Sequence, residues 1–126
     1  MKKAILTPHA PAPLGPYSQA VEQGGFVFLS GQIGLDPKTG NVVSDDVKAQ
    51  CEQVMKNIEE VLKAAGLSFK QVVKSTIFLV DIKDFTVVNE IYGRHFQEIP
   101  PARSTIGVSA LPKGVKVEIE VLASRN

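Results

Sequence analysis

The sequence predicts an α+β fold in which a single mixed β-sheet carries two helices on one of its faces. Three observations predict it. Apolar residues recur at helical spacing over residues 47–65 and again over 85–96. A run rich in β-branched and aromatic residues over 72–82 and the alternating pattern over 115–123 read as strands. The patterns follow one another as strand, strand, helix, strand, helix, strand, strand, which suits a layered α+β domain.

The elements follow in chain order. Residues 8–16 hold a proline-rich, stiff lead-in that ends at Gly15-Pro16. Residues 17–21 and 26–31 then flank Gln23-Gly24-Gly25, a hairpin turn between two strands. Asp36-Pro37-Lys38-Thr39-Gly40-Asn41 has the composition of a second turn. In the first helix Val47, Cys51, Val54, Met55, Ile58, Val61, Leu62 and Ala65 form one apolar stripe, with Ser44 as N-cap and Gly66 at the C-terminal cap. Residues 72–82 form a strand with Phe78, Val80 and Ile82 on one face and Val73, Ile77 and Leu79 on the other. A second helix starts after an Asp84 cap, turns Phe85, Val88, Tyr92 and Phe96 to one side, and stops before Pro100-Pro101. Residues 104–108 and 115–123 close the sheet around Leu111-Pro112-Lys113-Gly114. Two helices cover one face only, so a strand apolar on both faces predicts a second surface buried by another subunit.

Composition narrows the function. The 126 residues amount to one domain, carry a net charge of +1 and contain no run of basic residues, which argues against nucleic acid as a partner. No apolar stretch approaches the ~20 residues of a membrane span, and the first residues reach Thr7-Pro8-His9 too soon for a signal peptide. One cysteine and two histidines make a poor metal set. The expectation is a cytoplasmic protein with no metal, no cofactor and no membrane or nucleic-acid partner.

Few residues stand out as chemical groups. Arg103, just before a short strand, either holds a planar fork toward a carboxylate or is a surface arginine. Glu118 and Glu120 alternate with Val117, Ile119 and Val121, as an acid–base pair or as the wet face of a strand. Tyr17 offers a hydroxyl, and Gly31 after Ser30 allows a ligand to approach the backbone. Asn89 falls beside the apolar face of the second helix, where its amide needs a partner. Cys51 lies in an apolar stripe, and His9 and His95 lack metal spacing.

Taken together, Gly15-Pro16-Tyr17-Ser18-Gln19-Ala20, Ser30-Gly31-Gln32-Ile33, Asp36-Pro37-Lys38-Thr39-Gly40, Ala64-Ala65-Gly66-Leu67, Val88-Asn89-Glu90, Pro101-Ala102-Arg103-Ser104, Leu111-Pro112-Lys113 and Val117-Glu118-Ile119-Glu120 resemble the Rid (YjgF) family, and within it the RidA subgroup. The resemblance covers nearly the whole chain and makes residues 1–126 a single Rid-type domain. It implies a chorismate-mutase-like fold and a homotrimer with sites in the clefts between subunits. It implies cofactor-free hydrolytic deamination of 2-aminoacrylate/2-iminopropanoate and 2-iminobutanoate to 2-oxo acids and ammonia.

Carried onto this sequence, the resemblance gives Arg103 the substrate carboxylate and Glu118 the attacking water. It places Tyr17, Ser30, Gly31, Asn89 and Thr105 along the substrate cleft. Thr105 stands where many RidA proteins have a cysteine, which bears on rate and substrate preference. The same arginine cleft also serves an alternative: a small-carboxylate-binding trimeric module that regulates a partner protein. A ribonuclease or translation-inhibitor activity, attached to some relatives, fits poorly with the neutral charge and the absence of a paired-histidine site.

Overall fold

A computed structural model describes all residues, 1–126. Six strands and two helices are formed: β1 Lys3–Ile5, β2 Ala20–Gln23, β3 Phe26–Leu29, α1 Val47–Ala64, β4 Val72–Leu79, α2 Phe85–Gly93, β5 Ala102–Gly107 and β6 Val117–Ser124. The strands make one sheet in the order β1-β2-β3-β6-β4-β5. Neighbours run antiparallel except β4 and β5, which are parallel and joined through α2. The mixed sheet with two helices agrees with the expected fold class. No helix is long and apolar enough to cross a membrane.

The helices pack on one sheet face. From the sheet come Val27, Leu29, Ile77, Leu79, Val117, Ile119, Val121 and Ala123; from α1 come Cys51, Val54, Met55, Ile58, Val61 and Leu62; α2 adds Val88, Ile91 and Tyr92. Each strand contributes alternate residues because side chains in a strand alternate between faces. The opposite face keeps Phe26, Phe28 and Ile106 exposed. Burial in this core pushes the Cys51 thiol up to about 12, so it behaves as a small hydrophobe.

Several boundaries differ from expectation, each for a local reason. β1 is an addition, since three residues are too short to show a period; it is held at the edge by pairing with β2. The hairpin turn at Gly24 and Gly25 forms with both glycines at positive φ, but β2 starts at Ala20, leaving Tyr17 outside the strand. Asp46, not Ser44, caps α1 by accepting the Ala49 N–H at 3.3 Å, while the Ser44 hydroxyl accepts the Asp46 N–H. At the other end Ala65 is the cap, and Gly66 follows at φ 75°. The Gly66 and Leu67 N–H groups then bond back to Lys63 and Leu62, closing the helix as a Schellman motif.

β4 stops at Leu79, and a bulge between Val72 and Lys74 turns Val73 to the exposed side, away from Ile77 and Leu79. Val80 and Ile82 lie beyond the strand end and are exposed. Asp84 precedes α2 without a side-chain cap, because a 3-10 turn over Ile82–Asp84, capped by Asp81, leads directly into it. The helix ends at Gly93, yet Phe96 still packs edge-on against Phe69 and in a tilted arrangement against Tyr92. β5 begins two residues early, at Ala102, because it pairs with β4 from Lys74 onward.

Buried carboxamides hold the loops. Gln19 is buried and accepts the Thr7 N–H at 2.7 Å while donating to the carbonyls of Thr7, Ala10 and Pro11. The proline-rich arm is thereby fixed to the sheet through one side chain. On α1, Asn57 donates to the carbonyls of Ile33 and Leu35, and Gln50 accepts the Lys116 N–H while donating to Ser44. Gly34 is needed for this approach, since a Cβ there would lie 2.9 Å from the Gln50 backbone.

Gln19→Ala strands several buried polar groups of the arm at once, and unfolding by urea should show a loss of about 2–3 kcal/mol. A change below about 0.5 kcal/mol, typical of a surface substitution, would show that the arm is held by other contacts.

Candidate functional site

Two clusters of the expected site residues form, on opposite faces of the sheet. The register of β4 decides this. Its Phe78 lies opposite Glu118 of β6 and Ile106 of β5, whereas its Ser75 lies opposite Val121 and Arg103. Direct partners in a ladder share a face, and neighbours along a strand do not. Ser75 is buried on the helix side, where its hydroxyl accepts from the Tyr92 hydroxyl at 2.9 Å. Arg103 therefore points to the helix side and Glu118 to the other.

The Glu118 cluster is a cleft of about 460 Å³ that also includes Tyr17, Ser30 and Gly31, with Pro11, Leu14, Ile33 and Leu35 as apolar wall. Gln32 exchanges backbone hydrogen bonds with Ile119, at 2.9 and 3.1 Å, which sets Gly31 beside Glu118. A Cβ on Gly31 would lie 2.1 Å from Glu118 Oε2, so only glycine leaves room for the carboxylate. The Ser30 hydroxyl donates to the Ser18 carbonyl at 2.6 Å and keeps its lone pairs. The Tyr17 hydroxyl accepts the Leu14 N–H at 3.3 Å and keeps its proton for another acceptor.

Glu118 is half-buried, and no cation lies within ion-pair distance of it. Burial pushes its carboxyl above the usual carboxylate range, and the charge on Glu120 adds to the shift. Glu120 stands on the same face but is exposed. That distinction separates two glutamates that strand periodicity leaves equivalent.

The Arg103 cluster is a second cleft of about 410 Å³ between α2 and the segment before β5, lined by Asn89, Tyr92, Gly93, Phe96, Pro100, Pro101 and Arg103. The guanidinium donates to Asn89 Oδ1 at 2.7 Å and sits 5.3 and 5.2 Å from the ring centroids of Phe85 and Tyr92, within cation–π reach of both. No carboxylate pairs with it. Thr105, two residues along β5, shares the Arg103 face through its partner Ile77 and lines neither cleft. Its Oγ1 is buried without a hydrogen-bond partner. No three His, Cys, Asp or Glu side chains group to hold a metal.

A family model described as endoribonuclease L-PSP matches residues 7–125. The chain belongs to that family, the Rid/YjgF family. Human 2-iminobutanoate/2-iminopropanoate deaminase is 49% identical over 123 residues, which span 98% of this chain and 90% of the human protein. Among solved structures, RidA from a Psychrobacter species superposes with a TM-score of 0.93 at 46% identity, covering 97% of this chain and 98% of that one. Escherichia coli TdcF with bound serine gives 0.92 at 42% identity, covering 98% and 99%. The one-sheet, two-helix architecture of this Rid chain matches those structures.

Residues outside the expected list also build these two clefts. Phe85 and Tyr92 hold the Arg103 guanidinium, and Gln19 carries the arm that walls the Glu118 cleft. Lys113 lines that cleft as well. The sequence signal for Gln50 and Asn57 is their spacing of seven with Gln53 between them, a row of carboxamides beside the apolar stripe of α1. Carboxamides in such a row bond backbone where charged residues would seek water.

The raised carboxyl of Glu118 has a stability consequence of definite sign. The fold favours its protonated form, so its contribution is complete below the ordinary carboxylate pKa and is lost as pH rises through the raised value. Glu118→Gln mimics the protonated form. Thermal melts should show the variant above wild type near neutral pH, with the gap closing below about pH 4. A gap that stays constant, or that has the opposite sign, contradicts the burial of a charged carboxylate.

Proposed function

We propose that this chain hydrolyses reactive 2-imino acids, 2-iminopropanoate and 2-iminobutanoate among them, to 2-oxo acids and ammonia, at a site shared between two copies of the chain. The observation that carries the reading is the division of the site. An unpaired guanidinium held between aromatic rings and a carboxyl with raised pKa in a cleft are complementary, yet the sheet separates them. They meet only if Arg103 of one copy reaches the Glu118 cleft of the next. The exposed apolar face with Phe26, Phe28 and Ile106 supports such assembly, and closed three-fold symmetry yields identical sites. The relatives named as imine deaminases support the reaction class.

The chemistry follows from the groups. The Arg103 fork takes the substrate carboxylate through parallel N–H bonds and fixes the position of C2, replacing random encounter with an oriented complex. Glu118 accepts a proton from a water as its oxygen attacks C2 of the protonated imine and the C=N electron pair moves to nitrogen. Glu118 then returns that proton to the nitrogen and takes the hydroxyl proton as the C–N bond breaks and the carbonyl forms, releasing ammonia and the 2-oxo acid, and the proton left on Glu118 passes to solvent. A raised pKa suits a group that must take and return one proton near neutral pH. The Tyr17 hydroxyl, on the cleft wall, is free to donate to the substrate nitrogen or oxygen.

The serine bound in TdcF is an unreactive amino acid, which favours a second reading of the same cleft as a carboxylate-binding module. Turnover separates the two: faster 2-oxo acid release from freshly generated imine requires catalysis. The ribonuclease in the family description finds little support here, because half-buried His95 packs on Phe69 and lines neither cleft.

Two measurements test the proposal. Glu118→Gln should lose roughly 10²-fold or more in rate, on the scale of general acid–base catalysis, while Glu120→Gln stays within a few-fold of wild type. Equal effects, or a greater loss at Glu120, assign the base wrongly. In the second, Arg103→Lys and Glu118→Gln, each nearly inactive alone, are unfolded together and reassembled. Random assortment should restore intact sites to about a quarter of the wild-type number if each site takes its arginine and glutamate from different copies. No recovery from mixed, correctly assembled oligomers means that the site is not shared.

A further inference from the structure

We propose that Lys113 is a second anion-binding group of the Glu118 cleft, selecting imino acids that carry a distal carboxylate, of which 2-iminosuccinate is the simplest. The proposal rests on the imine-hydrolysis reading above and names a substrate class for it. Lys113 is the only cation among the residues lining this cleft. Its ammonium donates one hydrogen bond, to the Gly40 carbonyl at 3.1 Å, and no carboxylate lies within ion-pair distance. An ammonium has three donors, so two remain for a ligand. The Gly40 contact ties the ammonium to the turn that follows Leu35, another residue of the cleft wall.

The backbone adds a separate observation. Lys113 has φ 57° and ψ 18°, and it is the only non-glycine residue at positive φ in the chain. That conformation disfavours a side chain with a Cβ, and glycine or asparagine would take it with less strain. A lysine in this conformation presents its ammonium from a turn just before β6, the strand that carries Glu118. Strain of this kind in a cleft wall points from conformation to function.

On one copy the cleft measures about 460 Å³, within the range of small-molecule sites, and it is shared by the substrate and the neighbouring copy's Arg103. With the 2-carboxylate on Arg103 of the neighbouring copy and C2 beside Glu118, the rest of the substrate extends into this space. A carboxylate at its far end pairs with Lys113. The reaction is the same hydrolysis: water oxygen bonds to C2, the C–N bond breaks, and 2-iminosuccinate plus water becomes 2-oxosuccinate plus ammonia, without change in oxidation state.

The test compares 2-oxo acid release from freshly generated 2-iminosuccinate and 2-iminobutanoate by wild type, Lys113→Gln and Lys113→Arg. The ratio of kcat/KM for the dicarboxylate over the monocarboxylate should fall about fivefold in Lys113→Gln, the scale of a partly exposed charge pair. It should stay within about twofold in Lys113→Arg, and shrink in wild type as salt is raised. A parallel loss for both imines in Lys113→Gln would overturn the proposal, making Lys113 a tether for the loop at Gly40. If wild type accelerates neither imine, the reading of imine hydrolysis fails by itself. Calorimetry with the unreactive analogues succinate and butyrate then decides the anion site: tighter succinate binding that weakens in Lys113→Gln supports it, and equal affinities refute it.

Discussion

β4 lies between β5 and β6, and its pairing commits every side chain of those two strands to one face or the other. Arg103 follows Ser75 to the helix side, and Glu118 follows Phe78 to the open side. A slip of one residue in either ladder would reverse the assignment for a whole strand. The slip is prevented by the core itself. Ile77, Leu79, Val117, Ile119 and Val121 are buried only in the observed register, and moving any of these strands by one residue would send several large apolar groups into water. The packing that stabilises the fold is therefore also what separates the two halves of the candidate site.

Each half is held by groups that do no chemistry. Phe85, Tyr92 and Asn89 fix the Arg103 fork, leaving donors free for a ligand. On the other side, Gln32 pairs with Ile119 and brings Gly31 against the Glu118 carboxylate, while Gln19, Gln50 and Asn57 pin the neighbouring loops through their backbone. Side chains held this way lose little freedom when a ligand arrives, which is the advantage of preorganisation. The cost is electrostatic and falls on Glu118, whose half-buried carboxyl has no charged partner within the chain and is pushed up by burial.

A half-buried carboxylate without a charged partner and an exposed apolar surface are both unfavourable for an isolated copy, and both would be relieved by association with others. Assembly and function are thus linked in this reading. The same contact that covers Phe26 and Phe28 would carry a neighbour's guanidinium to the cleft. Thr105 belongs to this question too, since its buried hydroxyl lacks a partner beside Arg103 on the edge strand.

The fold class, both helices and the alternation of β6 were legible in the sequence because each rests on a local period: the stripe of α1, the two-residue alternation from Val117 to Val121, the glycine pair of the hairpin. The family resemblance assigned Arg103, Glu118, Tyr17, Ser30, Gly31, Asn89 and Thr105 to one cleft. Which of them share a face of the sheet was not legible, because that depends on pairing between strands far apart in the chain. Bulges and turns escape the same way: Val73 leaves the core through one extra residue in β4, and Lys113 takes a left-handed turn that its residue type does not announce. Local periodicity determined which elements this chain forms. Only the tertiary structure decided which faces they show one another, since register is set by the summed burial of the whole sheet and not by any one segment.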